Sequence, residues 1–350
     1  MHKPLPLPPF YVPKNAETFS YAPDQQRLFR DAIAWGRQHN VLPSASDRLS
    51  IHMLLIDVQK DFCFPEGSLY VAGRSGRGAL DDNRRTAEFI YRNLDIITNI
   101  TTTMDTHYAF QIFFPSFWVD REGEHLAPYR EITTQDIDSG DVRPNPAVAS
   151  WLCNGDYGWL YKQVRFYCGE LEKHGKYRLY LWPPHCILGS DGHCLVGALH
   201  EARMFHSFVR DVQSWVEVKG GHTLTENYSV LCPEVLVGHD GPPIAARHHA
   251  LIKALFKADV VVIAGQAASH CVKSTIDDLL DDIVARDKAL ARKVYVLRDC
   301  MSSVTVSDGK GGFVQDFTPQ AERALARFAE AGMSVVNSTD PIESWPGIRF

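Results

Sequence analysis

No apolar run in this 350-residue chain approaches the roughly 18 residues that a membrane-spanning helix needs, so nothing in it reads as a span. A basic excess is missing too. Lys and Arg number 36 against 42 Asp and Glu, a net charge of -6, which leaves no electrostatic footprint for nucleic acid. The eight cysteines form no CxxC and show no paired spacing, which excludes a disulfide framework and points to reduced thiols in the cytoplasm. Most of Cys63, Cys153, Cys168, Cys186, Cys194, Cys232 and Cys300 therefore read as small buried hydrophobes. There is no internal repeat and no low-complexity tract. The opening "MHKPLPLPPFYVPKNAETFSYAP" lacks an apolar h-region, so it reads as an extended arm over the domain or a neighbouring subunit rather than a secretory signal.

What is present is an alternation of buried-strand and helix patterns. "SIHMLLIDVQ" (50–59), "NITTTMDTH" (99–107), "SWVEVKGG" (214–221), "DVVVIAG" (259–265), "KVYVLRDC" (293–300) and "MSVVNSTD" (333–340) read as strands. Helical spacing runs over 84–97, 157–174, 248–258, 273–286 and 318–332. Such alternation predicts a three-layer α/β domain with a mostly parallel sheet of about six strands. The expected layout is an arm over 1–48 and a single α/β domain over 49–345. An aromatic-rich insertion interrupts that domain at 114–181.

In parallel sheets, ligands bind beyond the carboxyl ends of the strands. Asp57, Asp105, Lys219 and Cys271 all fall at or just after such ends. Cys271 opens a helix, where unpaired amides and the positive dipole end favour a thiolate; the other reading is a buried structural cysteine. The small residues ahead of it, Gly265, Ala267, Ala268 and Ser269, let backbone amides approach a developing oxyanion. Asp57 follows four apolar residues, a setting that raises a carboxyl pKa and suits a general base, an N-cap or an ion pair. Lys219 precedes two glycines and is either a charge partner for Asp57 or a strand-end surface lysine. Asp105 and His107, two apart at a strand end, point the same way and with His185 make a three-ligand metal set or a group of polar loop residues.

Taken in order, "DVQKDF", "MDTH", "WPPHCILGSDG", "VKGG…ENYS" and "GQAASHCVKST" resemble the isochorismatase-like cysteine hydrolases, in particular their nicotinamidase branch. The likeness covers about 50–113 and 180–340. It implies a triad of Asp57, Lys219 and Cys271, with backbone N–H groups of Ala267 and Cys271 as the oxyanion hole and a cis peptide at Gln266–Ala267. It also implies a divalent metal (Zn, Fe or Mn) on Asp105, His107 and His185, with Phe62, Trp182 and Gln266 at the substrate. The implied activity releases ammonia from a small heteroaromatic amide such as nicotinamide through a thioester. Other amides or N-carbamoyl compounds, an isochorismatase-type enol-ether hydrolysis, and a catalytically idle binding protein are the alternatives. The resemblance further implies a homo-oligomer, dimer or tetramer.

Three features depart from the pattern. Phe113 stands about where a further histidine is usual. Gln266, Ala268 and Ser269 replace an aliphatic residue and a Thr-Asp pair. The stretch between Asp105 and His185 is lengthened by the insertion.

Overall fold

The computed structural model describes residues 3–174 and 177–349. Six strands form one sheet: β1 (Ile51–Ile56), β2 (Asn99–Asp105), β3 (Trp215–Lys219), β4 (Val260–Gly265), β5 (Val294–Leu297) and β6 (Ser334–Val336). Their order is β6–β5–β4–β1–β2–β3, and every pairing is parallel. The two central strands are buried along their whole length. That is why they read as unbroken apolar runs rather than alternating ones: both faces of a parallel sheet are covered.

The covering helices are α1 (Gln25–Gln38), α2 (Gly78–Arg92), α3 (Tyr157–His174), α4 (Gly197–Val209), α5 (His249–Lys257), α6 (Cys271–Arg286) and α7 (Thr318–Glu330). The period of two along β1 divides the core. Ile51, Met53 and Leu55 join the cluster that contains α1, α2 and α4, while Leu54 and Ile56 join the cluster of α5, α6 and α7. The result is a three-layer α/β structure.

From β1 the chain moves outward through β2 to β3, then returns beside β1 and moves the other way through β4, β5 and β6. The topological switch therefore lies between β1 and β4. Loops leaving these neighbours diverge there and open a crevice at their carboxyl ends. Register sets the crevice floor, with Ile56 opposite Gly265 and Asp105 opposite Lys219.

The first residues lie over their own chain. Leu5 N–H donates to the Arg92 carbonyl at 2.8 Å, and Phe10 packs on Tyr91 and Phe205. The segment is not extended throughout, since α1 follows it, capped by Asp24, whose carboxylate accepts from the amides of Gln26 and Arg27. Leu28, Ala32 and Trp35 are its buried stripe. This helix and α4 are elements that strand-centred reading leaves out, because both are polar on one face and lack long apolar runs. Helix α2 also starts at Gly78, earlier than its apolar spacing implies.

The 114–181 stretch builds two small antiparallel pairs, Trp118–Asp120 with Val142–Pro144 and Glu131–Ile132 with Leu179–Tyr180, together with α3. Its buried residues, Trp118, Leu160, Val164 and Tyr167 among them, are continuous with the core of the main sheet. No helix among the described residues is long and apolar enough to cross a membrane.

Candidate active site

Asp57 is the residue where β1 ends, and its backbone turns into the left-handed region at φ 46°. A non-glycine residue held there is strained, which the surrounding bonds must overcome. Thr103 on β2 does so. Its hydroxyl accepts the Asp57 N–H at 3.0 Å and donates to Asp57 Oδ1 at 2.5 Å. The other carboxylate oxygen, Oδ2, faces Lys219 Nζ at 2.9 Å. Asp57 is fully buried, and that burial raises its pKa despite the lysine.

Lys219 closes β3 and points the same way. Its ammonium meets Asp57 at 2.9 Å, Asp105 Oδ1 at 3.0 Å, the Asn227 carbonyl at 2.8 Å and Cys271 Sγ at 3.7 Å. Burial alone would discharge it, but the two carboxylates overcome that penalty and hold its pKa well above the usual lysine range. Asp57, Asp105 and Cys271 place their reactive atoms within 4.8 Å of one another around this cation. The geometry thus brings together the three groups expected from the sequence.

Cys271 is the first residue of α6, as expected, yet the standing thiolate is not supported. Burial pushes its thiol well above the ordinary range; Lys219 pulls it down, and Asp57 and Asp105 push it up again. A helix start was a sound reason to expect a low pKa, but two neighbouring carboxylates in a dry site outweigh it. The thiol therefore holds its proton until a base removes it, and Asp57 stands beside it.

The loop from β4 into α6 carries a cis peptide at Gln266–Ala267. Most of its amides are spent, with Ala268 donating to Ser302 at 2.8 Å, His270 to Ala267 at 3.0 Å and Val272 to Ala267 at 3.2 Å. The N–H groups of Ala267 and Cys271 have no such acceptor among the described residues, which leaves them available to a developing oxyanion. Gly265 makes this loop possible. A Cβ there would lie 2.1 Å from the Ile56 carbonyl, at a φ of +121°.

A second set of groups adjoins the first. Asp105 Oδ2 lies 2.9 Å from His107 Nε2 and 3.8 Å from His185 Nε2. Each ring spends Nδ1 on a backbone carbonyl, His107 on Gly220 at 3.0 Å and His185 on Pro183 at 2.8 Å. A carbonyl can only accept, so Nδ1 carries the hydrogen and Nε2 turns a lone pair toward Asp105. His107 Nε2 has no hydrogen-bond partner, although it is buried. Two lone pairs facing each other at 2.9 Å require a proton or a cation between them, and the donor set of one carboxylate and two imidazoles suits a divalent metal. Phe113, edge-to-face on His107 at 4.9 Å, adds no fourth ligand.

Above these groups lies a mostly apolar cavity of about 500 Å³, counted to its open mouth. Phe62 and Trp182 line it. Gln266 does not. Its amide is used elsewhere, donating to Asp82 Oδ2 at 2.9 Å and accepting the Ser302 N–H at 3.2 Å. An amide in a loop of small residues invites a substrate role in sequence, but α2 supplies a buried carboxylate that captures it.

Sequence reasoning did not assign Glu226, Tyr228 and His270, which also line the cavity. Glu226 accepts from Tyr228 at 2.7 Å and from Tyr167 at 2.9 Å, and burial pushes its carboxyl up to about 8. Burial also drives His270 down to about 3, which keeps the imidazole neutral. The "ENYS" run adjoining the lysine motif was the available signal. Gln59 and Asp61, inside the "DVQKDF" motif, are structural. Gln59 clasps the backbone of Asp105 through both amide atoms, and Asp61 Oδ2 accepts the Cys186 N–H at 2.6 Å beside His185.

No family model matches the chain, and no curated protein matches it in sequence. Among solved structures it is similar to the yeast nicotinamidase Pnc1p bound to the inhibitor nicotinaldehyde, with 20% identity over 82% of this chain and 99% of that one and a TM-score of 0.49. The Acinetobacter baumanii nicotinamidase/pyrazinamidase is similar at 19% identity over 83% and 97%, with a TM-score of 0.47. The Pyrococcus horikoshii pyrazinamidase in complex with zinc is similar at 18% identity over 82% and 99%, with a TM-score of 0.43. At these identities the likeness concerns the course of the chain. The chemistry rests on the site itself.

Proposed function

We propose that the chain is a cysteine amidohydrolase of nicotinamidase type, releasing ammonia from a small heteroaromatic amide. The observation that carries this reading is the convergence of Asp57, Lys219 and Cys271 at the sheet's switch point, with two unspent amides beside the thiol. In this reading Sγ of Cys271 attacks the amide carbonyl as Asp57 takes the thiol proton. The carbonyl oxygen gains charge against the N–H groups of Ala267 and Cys271. Asp57 then returns the proton to the departing nitrogen, ammonia leaves, and a thioester remains. Water activated by the same carboxylate hydrolyses the thioester and restores the thiol. Lys219 favours the ionised form of Asp57 before the thiol proton arrives, since without a cation two buried carboxylates could not both hold charge.

Asp105, His107 and His185 would hold a divalent metal, which when bound supplies a Lewis-acid point for the pyridine-type nitrogen of such a substrate. Phe62 and Trp182 supply flat apolar surface for its ring. The cavity also separates this reading from its alternatives. Among the described residues no arginine lines it, and Lys219 beside it already serves two carboxylates. A substrate bearing carboxylates, whether an enol ether or an N-carbamoyl amino acid, would meet acidic side chains and no side-chain cation left to pair with it. A neutral aromatic amide meets none of that penalty.

The test is ammonia release over a panel of neutral aromatic, aliphatic and N-carbamoyl amides. Nicotinamide or a close heteroaromatic analogue should be the preferred substrate, and Cys271→Ala should abolish turnover. Full activity in that variant would refute the thioester route.

A further inference from the structure

The 114–181 insertion sends two tyrosines to the active site. Tyr167, on α3 and fully buried, holds Glu226 at two points: its hydroxyl accepts the Glu226 N–H at 2.9 Å and donates to Oε2 at 2.9 Å. Glu226 Oε1 accepts from Tyr228 at 2.7 Å, and Tyr228 in turn accepts the Trp182 indole N–H at 2.8 Å. Every link is buried or half-buried, and the last one is the aromatic wall of the cavity. Tyr177, at the end of the insertion, stacks on His270 with centroids 5.1 Å apart and planes at 13°. Its hydroxyl donates to the Ser269 carbonyl, two residues before the nucleophile. Trp182 and His270 themselves meet edge-to-face at 5.3 Å.

We propose that the insertion is a working part of the active site, with Tyr167 and Tyr177 as positioning residues that set Trp182 and His270 against the substrate ring. The inference rests on the amidohydrolase reading for its substrate. Its geometry stands apart from that reading. A tryptophan whose indole N–H is tied through Tyr228 and Glu226 to a helix outside the sheet cannot rotate in the cavity without breaking a buried hydrogen bond. Removing the far end of this relay, Tyr167, should therefore be felt at Trp182, to which Glu226 and Tyr228 connect it. His270 is set the same way, from the other side, by the Tyr177 ring.

The experiment uses the full chain and its Tyr167→Phe, Tyr228→Phe and double variants, with Tyr177→Ala as an independent probe of the second wall. Two readouts are taken: kcat and KM for nicotinamide, and the rates at which iodoacetamide and N-phenyliodoacetamide alkylate Cys271, followed by mass spectrometry. Loss of one buried hydrogen bond in the relay should raise KM about tenfold and leave kcat within about twofold. Because the hydroxyls act in series, the double variant should be no worse than the more severe single one. The preference for the phenyl reagent over the small one should fall in parallel with the rise in KM. Tyr177→Ala should reproduce the loss of preference. A lower Tm with KM and reagent preference both at wild-type values would overturn the proposal and leave the tyrosines as packing residues. If the wild-type chain hydrolyses no amide, the amidohydrolase reading fails, and the reagent preference still decides whether the insertion shapes the cavity.

Discussion

Glu226→Gln isolates the cost of keeping a carboxyl buried in the cavity wall. In the folded chain its pKa is pushed from 4.5 up to about 8, because burial penalises the charged form. The folded state then binds the proton more tightly than the unfolded state. Its stabilising contribution is complete below pH 4.5 and is lost progressively as pH rises toward 8. Integrated from pH 5 to pH 8, a shift of this size costs the wild-type protein on the order of 3 kcal/mol. The glutamine carboxamide has nothing to titrate. It can accept from one tyrosine and donate to the other, so Tyr167 and Tyr228 keep their partners. Spread over the unfolding entropy of a chain this long, about 3 kcal/mol corresponds to roughly 4 °C in Tm. The measurement is the Tm of both proteins at pH 5, 6.5 and 8. The variant should gain on the wild type by about that amount between the lowest and the highest pH. Parallel pH profiles would show that Glu226 is ionised and solvated, and would refute the reasoning.

Other consequences follow from the same geometry. Thr103→Val removes both bonds that hold Asp57 in its left-handed conformation; kcat should fall at least about tenfold, with Thr103→Ser restoring most of it in the same assay. Gly220→Ala would place a Cβ 2.4 Å from Asp105 Oδ1 and 2.6 Å from the His107 ring at a φ of +83°, so activity should be lost; retained wild-type turnover would mean that this loop gives way freely. Dialysis against a chelator should lower ammonia release, with recovery on adding a divalent metal, and His107→Ala should abolish that recovery. Indifference to chelator would leave the Asp105–His107 contact as a shared proton. Gly197→Ala sets a Cβ 2.1 Å from the Tyr21 carbonyl, and a fall in Tm with kcat unchanged is expected as the N-terminal segment is pushed off α4.

Different parts of this protein were legible for different reasons. The central strands announced themselves because burial on both faces demands apolar runs, and β1, β4 and β5 are buried along their whole length. Their carboxyl ends made Asp57 and Cys271 candidates, but position left a structural role open for each, and it was the order of the surrounding motifs that singled them out. Helices α1 and α4 were harder to see. Each buries only one stripe, as with Leu28, Ala32 and Trp35, and its other residues look like any solvated stretch. Gln266 misled because its partner, Asp82, is 184 residues away in the chain.

Local patterns in the chain were enough for the parallel α/β class, the strand-end placement of Asp57, Asp105, Lys219 and Cys271, and the two-residue spacing that sets Asp105 beside His107. These are local consequences of burial and of the period of a strand. It took the tertiary structure to show which groups surround the Cys271 thiol, which carbonyls hold Nδ1 of His107 and His185, and where the 114–181 stretch joins the core. Each of those depends on groups far apart in the chain meeting in a dry cavity. There the cost of an unpaired charge or lone pair is set by whatever the fold brings within about 3 Å.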